Sequence, residues 1–434
     1  MEYKKNDIIK NFIATELTYE GYGTNRDYDK LILVENLLEN EEADIQIIKA
    51  TSKIVYAKVC KLIKKSKLRK ETEYPELLAS GAALLSNMDY ENQVAFKQDI
   101  VNKLFLRNLP NLKVLDIIKS KKEFWYRNKI KLNVIKKRNK FIYGFFEKKS
   151  HNLVEQEHLY LAHKEIDNLF LKIKKLFAKH EASIALDNFE MTLKHSKFTK
   201  ELQLIIEHSN DYVFPENIIL ELEQIKNLVS FIQITEKETR ILFGAKDLVF
   251  KTKNNIYKVA YDAFYQINDE QTEKLYDQVL KRIKNKDLTI LDAYAGVGTI
   301  GLHAAKKAKK LISVEINKNA SIATEINANL NAYNNIEFIN EDSEICFKKM
   351  LSENKHIIDL IIFDPPREGM NKSIIDIVSK LKIKQIIYVS CNPHTMIRDL
   401  KDFEEKGYEI GDIKPIDMFP QTPHIETICS LKLK

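Results

Sequence analysis

From about residue 262 the chain settles into one rhythm: short apolar runs ending in polar or Gly/Pro residues, separated by helical segments. The runs are "LTILDAYAG", "KLISVEIN", "IEFINED", "IDLIIFDPP" and "QIIYVSCNP". "NDEQTEKLYDQVLKRIK" precedes them, and "TIGLHAAKKAK" and "NASIATEINANLNAY" lie between them, with apolar residues at helical spacing. Continuous apolar strands alternating with helices predict a parallel sheet covered on both faces. In such sheets ligands bind beyond the carboxyl ends of the strands. Each run ends in its most polar residues, so the site residues are expected along one rim.

The chain upstream reads differently. Residues 1–70 alternate short β-branched runs with turn signals, among them Gly21 and Gly23, and suggest a small β-barrel. Residues 71–260 mix helical stretches such as "MDYENQVAFKQDIVNKLFLRNL" with strands such as "KIKLNVI", "KFIYGFF" and "LQLIIEH", as in an α+β domain. A length of 434 residues suits two or three domains, here 1–70, 71–260 and 261–434. No run of about 18 uncharged apolar residues occurs, so neither a membrane span nor a membrane partner is expected. "MEYKKNDIIKNF" lacks the apolar core of a secretory signal. Cys60, Cys346, Cys391 and Cys429 share no close spacing, which argues against a metal site or a disulfide framework and fits a cytoplasmic location.

Charge is distributed unevenly. Residues 51–70 carry eight Lys/Arg and no acid, and residues 101–150 carry fifteen against three. One such run is ordinarily a solvated face. Two of them, the second containing "KKEFWYRNKIKLNV", point toward nucleic acid. Phe124, Trp125 and Tyr126 offer stacking surfaces among Arg127, Lys129 and their neighbours, the combination that single strands reward. Strand alternation requires at least one of the three aromatics to point inward.

On the expected rim, "LDAYAGVGTIG" places Gly296, Gly298 and Gly301 in G-x-G-x-x-G spacing between a strand and a helix. Alone this fits a dinucleotide, another nucleoside or a tight turn. Glu315, 19 residues after Gly296 at the next strand end, is placed to accept two ribose hydroxyls, so an adenosine-type ligand is expected. Asp342 ends the third run, within reach of an adenine amino group. Asp364-Pro365-Pro366 ends the fourth, where two prolines forbid ladder hydrogen bonds and fix a rigid loop. Arg367 follows where many amino-group methyltransferases carry an aromatic, which argues for a different target atom.

Cys391 ends the fifth run, where a side chain can face a ligand. Positive charge nearby, with Arg398 one source, is expected to lower its pKa and favour the nucleophilic thiolate. In "HIETICSL" the carboxyl of Glu426 lies among apolar residues, where desolvation raises its pKa as a general base requires. His424 is the alternative base.

Carbon 5 of a pyrimidine is too weak a nucleophile to take a methyl group unaided. A thiolate adding to carbon 6 makes carbon 5 nucleophilic, and a base then removes the carbon 5 proton so that the thiolate can leave. Cofactor cleft, cysteine and base are the minimal set.

Six stretches in order, "FYQIN" (264–268), "DAYAGVGTIGL" (292–302), "VEIN" (314–317), "FDPPREG" (363–369), "SCNPHTMIRDL" (390–400) and "DMFPQTPHIET" (417–427), closely resemble the S-adenosylmethionine-dependent RNA uracil-5 methyltransferases. The resemblance implies that Gln266, Tyr294, Gly296, Glu315, Asp342 and Asp364 bind the cofactor. Cys391 is then the nucleophile, Glu426 the base and Arg367 an RNA contact. It further implies a multidomain α/β fold: an OB-like TRAM barrel, a central RNA-binding domain and a Rossmann-like class I methyltransferase domain. Transfer-RNA members of the bacterial type usually lack the barrel, so 23S ribosomal RNA is the expected substrate and 5-methyluridine the product. A transfer-RNA enzyme is the alternative, and a non-catalytic RNA-binding module a further one. Many ribosomal members hold an iron–sulfur cluster with four cysteines. The matching positions here are Tyr74, Ser80, Ala83 and His158, so no cluster is expected.

Overall fold

The computed structural model describes residues 3–148, 150, 152–353 and 358–434. Their contacts group the chain into two compact units. One takes the described residues of 1–100, 143–157 and 419–424, and the other takes 101–142, 158–418 and 425–434.

The first unit contains a six-stranded sheet ordered Ile8–Ile13, Glu42–Ala50, Ile54–Lys64, Leu31–Glu35, Gly23–Asn25, Glu16–Leu17. Strict alternation in "EADIQIIKA" puts Ala43, Ile45 and Ile47 on one face, where they pack with Phe12, Ile32, Val34 and Val55. Residues 419–424 are held inside this unit. Gln93 Nε2 donates to Gln421 Oε1 (2.9 Å), Gln421 N–H returns a bond to Gln93 Oε1 (3.0 Å), and the fully buried Lys97 donates to the Phe419 carbonyl (3.1 Å). Of the positions matching cluster cysteines, Ala83 and Ser80 are buried, Ser80 donating to the Leu77 carbonyl at 3.2 Å.

The second unit holds two sheets that matter for the site. In the first, Asn188–His195 lies between Leu202–Glu207 and Lys129–Lys137, antiparallel to both. In the second, five parallel strands run in the order Ile336–Ile339, Ala308–Val314, Leu288–Ala293, Leu360–Phe363, Gln385–Ser390. "LIIF" is buried at all four positions and "QIIYVS" at five of six, as helices on both faces require.

The tail departs from the all-parallel expectation. Glu426–Leu433 pairs antiparallel with Gln385–Ser390, and Tyr408–Ile410 and Lys414–Ile416 pair antiparallel with it. After the helix Pro393–Glu405 the described chain has no helix left to make a parallel crossover, so it can only double back.

The polar residues at the strand ends also start helices. Asn317, Asp342 and Asn392 are N-caps whose side chains accept from Ala320, from Glu344 and Ile345, and from His394, respectively. Such a cap contributes about 1 kcal/mol. It also aims each helix N-terminus, with its partial positive charge, at the shared rim. Among the described residues no helix is long and apolar enough to cross a membrane.

Candidate active site

The ladder between Gln385–Ser390 and Glu426–Leu433 ends at Ser390 opposite Thr427, and Thr427 Oγ1 donates to the Ser390 carbonyl at 3.1 Å. One step further, that register sets Cys391 across from Glu426. The first is half-buried and the second 4% exposed. Burial, then the negative charges of Glu426 and Asp364, push the Cys391 thiol up to about 11, and the Arg367 guanidinium opposes them. Burial, then Asp364, likewise holds the Glu426 carboxyl well above the usual range, again opposed by Arg367. Burial raises Asp364 itself to about 7.

The expectation that positive charge lowers the Cys391 pKa is therefore corrected. Arg398 is engaged elsewhere: it pairs with Asp399 (2.6 Å) and donates from Nη2 to the Glu368 and Met370 carbonyls, both at 2.9 Å. Its role is to lock two loops together. Asn392 Nδ2 and Thr395 Oγ1 both donate to the Arg367 carbonyl (3.0 and 3.1 Å), and buried Asp399 accepts from Met370 N–H and Tyr388 Oη. Asp399 and Thr395 carry no signal of their own in the sequence, beyond lying in the stretch that begins at Cys391.

The glycine cradle is built as its spacing suggests. Gly296 has φ +57° and a Cβ there would meet nothing within 4 Å, so the space it faces is open. Gly301 is needed for another reason: its Cβ would lie 2.4 Å from Asp292 Oδ2. Glu315 accepts from Gly296 N–H through Oε2 and from Asn317 N–H through Oε1, both at 2.8 Å. Each oxygen keeps a second acceptor site for a hydroxyl. Asp342 spends Oδ1 on its helix cap, leaving Oδ2 for a ligand. Tyr294 sits at φ +62°, a costly conformation for a bulky residue and one that marks functional turns. Its ring lies 6.4 Å from that of Phe363. Gln266 is 8% exposed.

Sequence reasoning missed Asp292, two residues before Tyr294. It is 2% exposed, its Oδ2 has no hydrogen-bond partner, and burial, then Asp364, raises its pKa to about 8. An orphaned buried carboxyl, an open glycine cradle, a ribose-type acceptor at Glu315 and the uncovered Ile316 (67% exposed) fit S-adenosylmethionine, a cation with an adenosine end.

The aromatic triplet separates. Tyr126 is 2% exposed and offers no stacking face, which corrects its placement among RNA contacts; Phe124 and Trp125 are half-buried. Trp125 adopts φ +59° and meets Tyr160 edge-on at 5.4 Å, with Lys164 Nζ 5.8 Å from its ring centre. Arg127 and Lys129 follow, also half-buried.

Known proteins match the chain along most of its length. The family model described as tRNA (Uracil-5-)-methyltransferase matches residues 89–434. An "Uncharacterized RNA methyltransferase" of Lactobacillus johnsonii is 32% identical across 99% of both chains. One of Bacillus cereus is 33% identical across 99% of this chain and 98% of the relative. Among solved structures, the Pyrococcus abyssi tRNA (uracil-54, C5)-methyltransferase in complex with S-adenosyl-L-homocysteine superposes with TM-score 0.75 at 24% identity, covering 97% of this chain and 99% of that one. The chain is an S-adenosylmethionine-dependent RNA methyltransferase and belongs to the tRNA (uracil-5-)-methyltransferase family.

Proposed function

We propose that the chain methylates carbon 5 of a uridine in 23S ribosomal RNA through a covalent Cys391 adduct. The observation that carries the reading is Cys391 facing Glu426 across the end of one strand pair, at the rim that also bears the glycine cradle. The bound cofactor supplies an electrophilic methyl group. The half-buried Cys391 thiol loses its proton to solvent and the thiolate bonds to carbon 6, driving electrons to carbon 5, which takes the methyl. Glu426, ionised, then removes the carbon 5 proton, the carbon 5–carbon 6 double bond re-forms, and the thiolate leaves. Gln266, Tyr294, Gly296, Glu315, Asp342 and Asp364 hold the cofactor. Arg367 helps both groups ionise and meets the RNA.

Phe124, Trp125 and Arg127, just ahead of the strand Lys129–Lys137, contact the RNA together with Lys129. The division into a TRAM-like barrel at 1–70, an RNA-binding domain at 71–260 and a catalytic domain at 261–434 is supported by sheets that fall within those limits. A cytoplasmic location follows from an RNA substrate.

Transfer RNA is the second reading, and one observation favours it. The neighbour named for transfer RNA covers 97% of this chain, so the N-terminal sheet does not by itself select ribosomal RNA. Wild-type and Glu426→Gln protein incubated with S-adenosylmethionine and each unmodified RNA, then run on a denaturing gel, decide between them. The proposal expects an adduct with 23S RNA that Glu426→Gln accumulates and Cys391→Ala abolishes. An adduct with transfer RNA alone moves the substrate. No adduct and no 5-methyluridine with any RNA overturns the chemistry and leaves the binding-module reading.

A further inference from the structure

We propose that Asn128 is a positioning residue for the cofactor, acting through the segment that carries Gln266. The inference rests on the reading of Gln266 as a cofactor ligand. Asn128 is 2% exposed. Its Nδ2 donates to the Gln266 carbonyl at 2.9 Å and to Asp269 Oδ1 at 2.6 Å. Its N–H donates to the Ile267 carbonyl at 2.8 Å, and its carbonyl accepts from His195 N–H at 2.9 Å. The preceding residue, Arg127, forms a bridge with Asn268. Asn128 thus clasps residues 266, 267 and 269 from just ahead of the strand Lys129–Lys137.

The clasped segment is fastened on its other side as well. Asn268, 1% exposed, caps the helix Asp269–Arg282 by accepting from Gln271 N–H, and its Nδ2 donates to the Met418 carbonyl at 2.9 Å. Gln271 Nε2 donates to the Asp417 carbonyl at 2.7 Å. Two asparagines and a glutamine therefore fix the backbone from Gln266 into the helix that follows it. Asn128 both reaches the Gln266 carbonyl and donates to the half-buried carboxylate of Asp269. Without its Nδ2, that carbonyl and Asp269 Oδ1 each lose a donor in a site where an unmet acceptor is expensive. The segment then relaxes toward other partners and takes Gln266 with it.

The test reads S-adenosylhomocysteine affinity by calorimetry on the full chain, with melting temperature alongside. Asn128→Ala is expected to weaken binding about tenfold, the effect of one charge-assisted hydrogen bond. Asn128→Asp keeps the shape but replaces a donor with an acceptor facing Asp269, and serves where Asn128→Ala folds poorly. Its binding should be weakest at high pH and recover as acid protonates the new carboxyl and restores a donor. His163, Lys197, Glu270 and Glu273 also face Asp269 and are unchanged in every variant. A merely structural role predicts a lower melting temperature with unaltered affinity and no acid recovery, and that result overturns the proposal. Gln266→Ala separates the two layers. If it leaves affinity unchanged, the reading of Gln266 falls and the clasp with it. If it weakens binding while Asn128→Ala and Asn128→Asp do not, the clasp alone is refuted.

Discussion

Arg367→Gln should shift the acid limb of the methylation rate to higher pH. Arg367 opposes the upward pressure on both Cys391 and Glu426, which comes from burial and Asp364 and, for Cys391, from Glu426 as well. Its side chain is exposed, so its field is screened. A unit charge at roughly 5 Å with an effective dielectric between about 40 and 80 contributes on the order of 1 kcal/mol, or about 0.7 of a pH unit. Both proposed groups work ionised, and raising either pKa reduces the ionised fraction at a fixed pH below it. The variant should therefore lose about fivefold in rate near neutrality and recover as pH rises, whereas Arg367→Lys should stay within about twofold. Single-turnover rates with saturating RNA across the pH range would measure this. Iodoacetamide labelling of Cys391 in the free protein, against pH, isolates the thiol from any RNA contact that Arg367 makes. An unmoved labelling profile in Arg367→Gln would refute the electrostatic argument even if the rate fell.

Asp292 is predicted to make folding stability depend on pH. Its folded pKa of about 8 lies above the ordinary carboxylate value, so the folded state holds a proton that the unfolded state gives up. Stability is thus greatest at low pH on this account and declines as pH rises toward 8. Asp292→Asn should flatten the melting temperature measured between pH 5 and 8.5; an unchanged slope would count against a neutral buried carboxyl. Trp125→Ala should weaken RNA binding by about 1–3 kcal/mol with little change in melting temperature. Tyr126→Ala should instead cost several kcal/mol of stability as a buried aromatic is removed. Filter binding and thermal melts on both variants check the contrast, and equal effects would contradict the burial difference. Gly301→Ala should lower both melting temperature and S-adenosylhomocysteine affinity, because its Cβ collides with Asp292; a variant that binds normally in calorimetry would show that the cradle can give way.

The parallel strands and their polar rim were legible because each run is apolar throughout and stops abruptly at its end. Gly296 and Glu315 were legible as a pair, since their spacing is that of a strand–helix–strand unit and the loop geometry follows from it. What sequence could not supply was the sign of the Cys391 shift. Arg398 is close along the helix, but Asp399, one residue on, draws its guanidinium away, while Asp364 and Glu426 arrive from distant parts of the chain. Alternation along "FWY" failed to say which ring faces inward because these residues precede the strand, which begins at Lys129, and Trp125 has a left-handed backbone. Asp292 was hidden for a related reason: it ends an ordinary apolar strand, and only the close packing of Gly301 against it, with its Oδ2 unpartnered, makes it unusual.

The carboxylate of Glu315 is spanned between the amides of Gly296 and Asn317. If Glu315 takes the ribose as proposed, it has little means of telling a fresh methyl donor from a spent one, since the two differ at the sulfur and share everything that this bridge can touch. Discrimination falls to the acids farther along the rim, which sense the positive sulfur. The spent donor should therefore linger and compete, so the rate of methylation in a cell would follow the ratio of the two molecules rather than the supply of donor alone.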